Sequence, residues 1–366
     1  MSYRINVANA PMLFREWVEV YLEDYVRPVC KPSSAAYFAD NLLKHAVPAL
    51  GSMPLADIDS AILQRFLNQQ AAHGRLTDGG PLSPKSIRNL RTALSGCFTT
   101  AVAQGVLRNN PVPGTVIRRS RKPVVETMEE QEREKLLQFL YQDNNLMNMG
   151  IILAARLALR RGEICALRWQ DFDAIRGYLQ IRNTVKRLPN DDPEGPRTVL
   201  VFGPTKSEAG VRNLALSPDL CQLLELHAER FAREFRRQPQ MDDFIVYSAV
   251  GSVTDPDHLT HYFSDVLAGL QLSHVKFHAL RHTFATRAVE QGIDIESISG
   301  ILGHTDVTTT THYYLHPRQG GMNQALWKLS GAPGTPPTGL PQGFHRPEKS
   351  HTFTRRVRFG KEVQEV

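Results

Sequence analysis

Hydrophobic residues in the first hundred positions recur with the spacing of an α-helix. Leu13, Trp17 and Tyr21, for example, fall on one helical face. An apolar stripe of this kind predicts a helix that packs its inner side on a core. The pattern breaks into four segments and therefore predicts four helices, over residues 13–21, 35–46, 58–72 and 83–105.

Residues that favour helix ends mark the boundaries of these segments. Ser83 followed by Pro84 is a strong helix start, because serine caps exposed amides and proline fits the first turn. Pro48 and Gly51 are expected to end the second helix, since proline disrupts a helix interior and glycine favours its end.

The second half of the chain mixes two periods. Helical spacing predicts helices over residues 128–141, 147–167, 218–236, 258–270, 280–291 and 295–302. From Tyr178 to Arg182 apolar and polar residues alternate, which is typical of a strand. Two further strands are predicted over residues 197–202 and 211–216, and the three are expected to form one small antiparallel sheet. The fold class is therefore mainly α with a small antiparallel sheet.

Composition shifts divide the chain into four parts. We predict a helical domain over residues 8–112, a basic linker over 113–125, a mixed domain over 126–330 and a tail over 331–366. The tail begins with a Pro/Gly-rich stretch and ends with scattered Arg and Lys, a composition that predicts disorder.

The charge balance favours a polyanionic partner without proving one. Lysine and arginine number 43 against 37 acidic residues, and the isoelectric point is about 9.2. The four cysteines are widely spaced and read as free thiols of a reducing compartment. With no apparent signal peptide and no apolar run long enough to cross a bilayer, a cytoplasmic location without membrane contact is expected.

Two basic segments are candidates for contact with a phosphate backbone. On the fourth predicted helix, three cations at three-residue spacing share one face: Lys85, Arg88 and Arg91. The linker carries four more within five residues: Arg118, Arg119, Arg121 and Lys122. Either set fits DNA phosphates. The alternatives are a solvated helix face for the first set and an extended, soluble linker for the second.

The segment from Phe277 to Tyr314 concentrates residues suited to phosphoryl transfer. It reads Phe277-His278-Ala279-Leu280-Arg281-His282, then Leu302-Gly303-His304, then a threonine run that ends in Tyr313-Tyr314. An arginine guanidinium can donate two hydrogen bonds to one phosphate, and histidine can donate or move a proton near neutral pH. A tyrosine can serve as covalent nucleophile when cations surround the phosphate that it attacks.

These motifs resemble those of the tyrosine recombinases, the phage integrase family. Family members share a His-x-x-Arg box, a Leu-Gly-His box and a nucleophilic tyrosine nine residues after the histidine of that box, which here is Tyr313. Leu159-Arg160-Arg161-Gly162-Glu163 resembles the family's arginine box, although the family usually has Gly-Leu-Arg where this chain has Ala158-Leu159-Arg160. Pro204-Thr205-Lys206-Ser207 resembles the turn that carries its lysine. The four motifs occur in the family's order.

The resemblance implies a mechanism and a set of roles. Arg160 and Arg281 would bind the phosphate, with His304 as a further donor, and Lys206 would protonate the leaving 5′ oxygen. His278 would accept or pass on the proton of Tyr313, which would form a 3′-phosphotyrosyl link. The resemblance further implies a clamp around duplex DNA and a homo-tetramer on two recombination sites. No nucleotide or metal cofactor is implied, and accessory DNA-bending or directionality proteins are conceivable partners.

Several alternatives stay open at this point. Arg161 competes with Arg160, and Tyr314 competes with Tyr313, because neighbouring residues of a helix point about 100° apart. Two histidine pairs, His278 with His282 and His312 with His316, have the four-residue spacing of metal ligands on a helix, but the first pair lacks the glutamate of zinc proteases. A type IB topoisomerase-like relaxing enzyme would share the chemistry. A non-catalytic DNA-binding regulator would share the fold alone.

Overall fold

The computed structural model describes residues 11–118, 126–142, 146–190, 194–205 and 208–314. These residues form a mainly α-helical fold with small antiparallel sheets, as the sequence predicted. The described α-helices are α1 (Phe14–Val20), α2 (Pro32–Asn41), α3 (Val47–Leu50), α4 (Ser60–His73), α5 (Pro84–Ala103), α6 (Glu130–Gln142), α7 (Leu146–Leu157), α8 (Arg161–Ile164), α9 (Pro218–Phe235), α10 (Pro256–Gly269), α11 (Ala279–Glu290), α12 (Ile295–Leu302) and α13 (Val307–Tyr314).

The four helical segments predicted for the first hundred residues are confirmed. Their inner faces form one hydrophobic core, in which Trp17, Leu42, Leu63 and Phe98 are almost fully buried. Helix α5 begins as predicted, since Ser83 Oγ accepts a hydrogen bond from the amide of Ser86 and proline occupies the first turn.

The prediction that Pro48 ends the second helix is wrong. The chain stays helical to Leu50, because the turn before the proline widens into a π-helix over Leu42–Ala46. In that wide turn the amide of Val47 donates to the carbonyl of Leu42, one residue further back than in an α-helix. The altered register accommodates a residue without an N–H, and the helix then ends at Gly51 as expected.

The predicted single sheet of three strands is also wrong. One sheet has the order β1 (Phe172–Asp173), β2 (Tyr178–Ile181) and β5 (Arg212–Ala215), and a separate hairpin pairs β3 (Asn183–Pro189) with β4 (Thr198–Pro204). Residues 198–204 thus pair with the preceding strand and not with β5. Alternation of polar and apolar residues shows which face of a strand is buried, but it does not identify the neighbouring strand.

Two further differences concern helices near the predicted motifs. The helix predicted over residues 147–167 ends at Leu157, because Ala158 adopts a left-handed conformation with φ of 54°, and the short α8 follows. Around His312, where no helix was predicted from the spacing, the chain is helical as part of α13.

A second hydrophobic core joins α6, α7, α10 and α11 with the inner faces of β2 and β5. Near it, His227 of α9 is fully buried, with its ring Nε2 2.8 Å from the carbonyl oxygen of Ile245. None of the described helices is long and apolar enough to cross a membrane.

Candidate active site

The C-terminal end of α12 lies at the centre of the candidate site. Asp294 caps the start of this helix by accepting a hydrogen bond from the amide of Ser297, and Gly303 ends it in a left-handed conformation with φ of 61°. Glycine reaches this conformation without steric cost, which explains the Leu-Gly-His sequence at this point. The last carbonyls of a helix have no amide partner within it, and they carry the negative end of its dipole.

Three arginines donate to three consecutive carbonyls at this helix end. Arg212 Nε lies 2.7 Å from the carbonyl oxygen of Ile301, and Arg160 Nη2 lies 3.1 Å from that of Gly303. Between them, Arg281 Nη2 donates to the carbonyl of Leu302. The helix end therefore holds three guanidinium groups that come from three different parts of the chain.

Glu163 links two of these arginines. Its carboxylate accepts from Arg160 Nη1 at 2.6 Å and from Arg212 Nη2 at 2.9 Å, and it also accepts from the amide of Arg160. Burial raises the pKa of the Glu163 carboxyl, but the bonds and charges of Arg212 and Arg160 outweigh burial and leave the pKa below its usual value. Glu163 is therefore an ionised, buried carboxylate that neutralises one of the three cations.

A close approach of two backbones explains the glycine of the arginine box. A Cβ atom at Gly162 would lie 2.5 Å from the carbonyl oxygen of Val185 on β3. Only glycine lets α8 pack this closely against β3. The packing sets the position of Arg160 and Glu163, which flank Gly162 in the sequence.

Arg281 is the most deeply buried of the three arginines, with 2% of its surface exposed. Its Nη1 lies 2.7 Å from the carbonyl oxygen of Ala158, the residue with the left-handed backbone. The break between α7 and α8 thus turns one more carbonyl towards Arg281. Buried charges need such hydrogen bonds, because removal from water is costly.

Three histidines surround the arginines. Burial and the charge of Arg281 lower the pKa of His304 to about 4, with smaller effects from other neighbouring cations. Burial, His282 and Arg281 lower the pKa of His278 to about 4 in the same way, and the rings of His278 and His282 meet edge to face with centroids 4.7 Å apart. At neutral pH the protein therefore holds His278 and His304 as neutral imidazoles. His304 Nδ1 lies 2.8 Å from Thr310 Oγ1.

A cavity of about 590 Å³ opens beside this cluster. Arg160 and His304 line it, together with Thr205, the residue before Lys206. The opposite side is lined by residues that precede α2 or belong to its first turn, where Ser33 Oγ lies 3.3 Å from Lys186 Nζ. Its charged lining consists of Lys31, Arg160 and Lys186 against Glu163 and Asp306, and Glu163 is already paired with Arg160 and Arg212. The excess of cations, with the hydroxyls of Ser33, Ser34 and Thr205, suits an anionic ligand.

The structure brings four of the six predicted catalytic residues into one electrostatic cluster: Arg160, His278, Arg281 and His304. Lys206 lies outside the described residues, between β4 and the turn at Glu208–Gly210. Tyr313 belongs to α13, but its side chain and that of Tyr314 lie outside the described part of the structure. Arg161, the alternative to Arg160, donates to Asp257 at 2.6 Å.

The predicted DNA-binding cations divide into three groups. Lys85, Arg88 and Arg118 are exposed. Arg91 is half-buried, and its guanidinium donates to Thr115 Oγ1 at 2.9 Å, so that it joins α5 to the segment that follows it. The remaining three lie outside the described residues: Arg119, Arg121 and Lys122.

Sequence reasoning missed Arg212. A signal was present, because Arg212 and Leu214 lie two residues apart on β5 and therefore on the same face, which is the buried one. An arginine on the apolar face of a strand requires buried acceptors. Within the described ranges, no three His, Cys, Asp or Glu side chains come together as a metal-binding group.

An anion-binding cluster of arginines and neutral histidines, set in a mixed domain that follows a helical one, is typical of enzymes that act on a phosphodiester backbone. The phage integrase family model matches residues 126–320, and the model of the phage integrase N-terminal SAM-like domain matches residues 13–70. The chain belongs to the phage integrase family. It is a tyrosine-type site-specific DNA recombinase.

Similarity to individual proteins supports the same family. A tyrosine recombinase XerC-like protein of Caldanaerobacter subterraneus subsp. tengcongensis is 25% identical over 334 residues, which cover 86% of this chain and 82% of that protein. The ICEBs1 integrase of Bacillus subtilis is 25% identical over 256 residues, covering 68% and 67%. The Tn1549 transposon integrase, solved with transposon right end DNA, superposes with a TM-score of 0.69 at 19% identity over 88% of this chain and 100% of that one.

Proposed function

We propose that this recombinase cleaves and rejoins DNA through a 3′-phosphotyrosyl link to Tyr313. The observation that carries the proposal is the convergence of Arg160, Arg281 and His304 on one helix end beside one cavity. Tyr313 follows His304 by nine residues, which is the family's spacing for the nucleophile. Attack by its hydroxyl oxygen forms the phosphotyrosine bond and breaks the bond to the 5′ oxygen, which leaves as a 5′-hydroxyl.

Arg160 and Arg281 stabilise the charge that builds on the non-bridging oxygens during this attack. With Arg212 behind them, the three arginines set against Glu163 leave an excess of two positive charges. The guanidinium groups of Arg160 and Arg281 are held in place before DNA binds, and preorganised donors act without reorganisation during the reaction. His304, neutral and held through Nδ1 by Thr310, adds a further hydrogen-bond donor through its other ring nitrogen.

Two proton transfers complete the reaction. His278, with its pKa lowered to about 4, is a neutral imidazole that can accept the proton of the Tyr313 hydroxyl. Lys206, on the turn that follows β4, gives a proton to the leaving 5′ oxygen. The phosphotyrosyl link preserves the energy of the cleaved bond, so rejoining uses no nucleotide or metal cofactor.

The substrate is a pair of duplex DNA sites. The helical domain over residues 8–112 and the catalytic domain over 126–330, joined by the basic linker 113–125, form a clamp around the duplex. Exposed cations on α5 and in the linker contact its phosphates, with Lys85, Arg88 and Arg118 as the described candidates.

Strand exchange requires four protomers on two sites, because each of the four exchanged strands is cleaved by its own tyrosine. Among the structures that superpose on this chain is a lambda integrase tetramer bound to a Holliday junction, with a TM-score of 0.60. The integrases of transposons and prophages among the relatives support a mobile element as the source of this chain. DNA as substrate supports a cytoplasmic location, and accessory DNA-bending proteins remain possible partners of the tetramer.

Replacement of the nucleophile tests this proposal. Tyr313→Phe removes only a hydroxyl, so folding and DNA binding should survive while the covalent protein–DNA adduct disappears. Tyr314→Phe is the matched control and should still form the adduct, since adjacent helical residues point about 100° apart. The assay is a denaturing gel of each variant with a nicked, labelled substrate that carries the element's own end sequence.

Peptide mapping of the wild-type adduct identifies the linked residue directly. A shifted band from Tyr313→Phe, or an adduct that maps to Tyr314, would contradict both the nucleophile and the nine-residue spacing from His304.

A further inference from the structure

Arg212 contacts three parts of the site with one guanidinium. Its Nη1 lies 3.0 Å from the carbonyl oxygen of Gly210, its Nη2 lies 2.9 Å from Glu163 Oε2 and its Nε lies 2.7 Å from the carbonyl oxygen of Ile301. The side chain is 7% exposed and is not among the residues that line the cavity. Arg212 therefore lies behind the residues that line the cavity.

Each of the three contacts leads to a different functional group. Gly210 ends the turn that follows Lys206, and Glu163 holds the guanidinium of Arg160. Ile301 lies in the last turn of α12, just before Gly303 and His304. The three acceptors lie far apart in the sequence, and Arg212 is the side chain that bonds to all of them.

The packing around Gly303 shows how tightly this arrangement is fitted. A Cβ atom at Gly303 would lie 2.9 Å from Arg212 Nη1, so the glycine is needed for its backbone conformation and for the space that Arg212 occupies. A lysine at position 212 retains the charge but has a single ammonium group in place of the planar fork. It cannot reproduce three divergent hydrogen bonds.

We propose that Arg212 is a positioning residue of the recombinase, which sets the turn at Glu208–Gly210, the Arg160 guanidinium and the backbone before His304 at fixed distances from one another. This inference rests on the proposed function, because it concerns the geometry of the cleavage site. Misplacement of catalytic groups by about 1 Å can cost on the order of 10²-fold in rate, so the effect should be large.

The test compares Arg212→Lys with Arg182→Lys. Arg182 also bonds to a buried carboxylate, since its Nε lies 2.6 Å from Asp171 Oδ1, but this acceptor is separate from the three groups that Arg212 bonds, which are Gly210, Glu163 and Ile301. Both variants are measured for thermal unfolding, DNA affinity and single-turnover formation of the covalent adduct at saturating DNA. A purely structural role predicts that both lose stability and that both cleave normally once bound.

We expect Arg212→Lys to slow adduct formation by about tenfold to a hundredfold with DNA affinity within about threefold of wild type. Arg182→Lys should cleave within about threefold of wild type. A normal rate for folded Arg212→Lys overturns the inference, as does an equal loss of rate in both variants. If wild type itself forms no adduct, the proposed function fails first, and that failure is separate from this one.

A second variant covers the case in which Arg212→Lys does not fold. The variant Arg212→Gln removes the guanidinium but leaves Glu163 paired with Arg160, so the buried carboxylate keeps a cationic partner and Arg160 keeps its own contact. Slow cleavage with normal DNA binding supports the positioning role, and cleavage at the wild-type rate overturns it.

Discussion

Ala158 holds a strained backbone conformation next to the buried arginine, and its replacement by glycine tests that strain. The residue follows α7 with φ of 54°, and its carbonyl oxygen lies 2.7 Å from Arg281 Nη1. The perturbation is Ala158→Gly, and the matched control is Ala154→Gly within α7, at an alanine that is equally buried.

Three contributions set the expected change at position 158. Left-handed backbone costs a residue with a Cβ about 1–2 kcal/mol, which glycine recovers. Against this, loss of a buried methyl costs about 0.8 kcal/mol. The greater freedom of glycine in the unfolded chain costs about 0.4–1 kcal/mol. The contributions nearly cancel, so the free energy of unfolding should stay close to that of wild type.

The same substitution at Ala154 lacks the favourable contribution. Glycine in a helix interior costs about 1 kcal/mol relative to alanine. The lost methyl adds about 0.8 kcal/mol, so the total is about 2 kcal/mol. Two Ala→Gly changes four positions apart are therefore expected to differ by about 2 kcal/mol, which is about 4–8 °C in melting temperature for a domain of this size.

Differential scanning calorimetry of the two variants and wild type measures this difference. Ala158→Gly should also form the covalent adduct normally, because its contact with Arg281 uses a backbone carbonyl that glycine retains. Equal destabilisation by the two substitutions, or a larger loss at position 158, would refute the left-handed conformation of Ala158 and the strain argument.

Three further predictions concern proton transfer, histidine orientation and pH. Lys206→Ala should slow cleavage of an ordinary DNA substrate but cleave a 5′-bridging phosphorothiolate at close to the wild-type rate, because the thiolate leaving group needs little protonation. Equal impairment on both substrates would exclude Lys206 as the general acid. Thr310→Val removes the hydroxyl next to His304 Nδ1, and loss of a hydrogen bond worth about 1 kcal/mol should slow single-turnover cleavage about fivefold; an unchanged rate would contradict this. Burial lowers the pKa of His227 from 6.5 to about 4, so as pH falls the unfolded chain takes up a proton first. The stability that neutral His227 contributes is complete above about pH 6.5 and is lost towards pH 4, by up to about 3 kcal/mol; urea unfolding of His227→Leu should show a flatter pH dependence, and an unchanged slope would count against the assignment.

The elements that could be predicted from the sequence are those whose signals are local. The amphipathic spacing of the first hundred residues and the Ser83-Pro84 start are such signals, and the structure agrees with both. Ala158 could not be predicted in this way, because alanine is the strongest helix former and only glycine or asparagine commonly signals a left-handed residue. The break before Arg160 is imposed by tertiary contacts, among them the bond from Arg281 to the Ala158 carbonyl.

The strand pairing and the role of Arg212 depend on contacts between distant residues. The hairpin of β3 and β4 leaves β5 to pair with β2, and no local pattern distinguishes this arrangement from the single sheet that we expected. The acceptors of Arg212 lie 49 and 89 positions away at Glu163 and Ile301. Composition and spacing predict which residues carry the chemistry, but the contacts that Arg212 makes around them become visible only when the chain is folded.

The helix end that binds the arginines also accounts for their stability in the absence of DNA. Three guanidinium groups close together repel one another, and Arg281 is almost removed from water. The carbonyls of Ile301, Leu302 and Gly303 offset that cost, since they are the negative end of the α12 dipole and would otherwise be unsatisfied. The helix thereby stabilises a positive cluster and leaves its charge in place. A carboxylate beside each arginine would instead neutralise the cluster. In the proposed mechanism, a phosphate that enters the cavity would meet cations that are already in place and still carry excess charge, which is the condition for electrostatic catalysis.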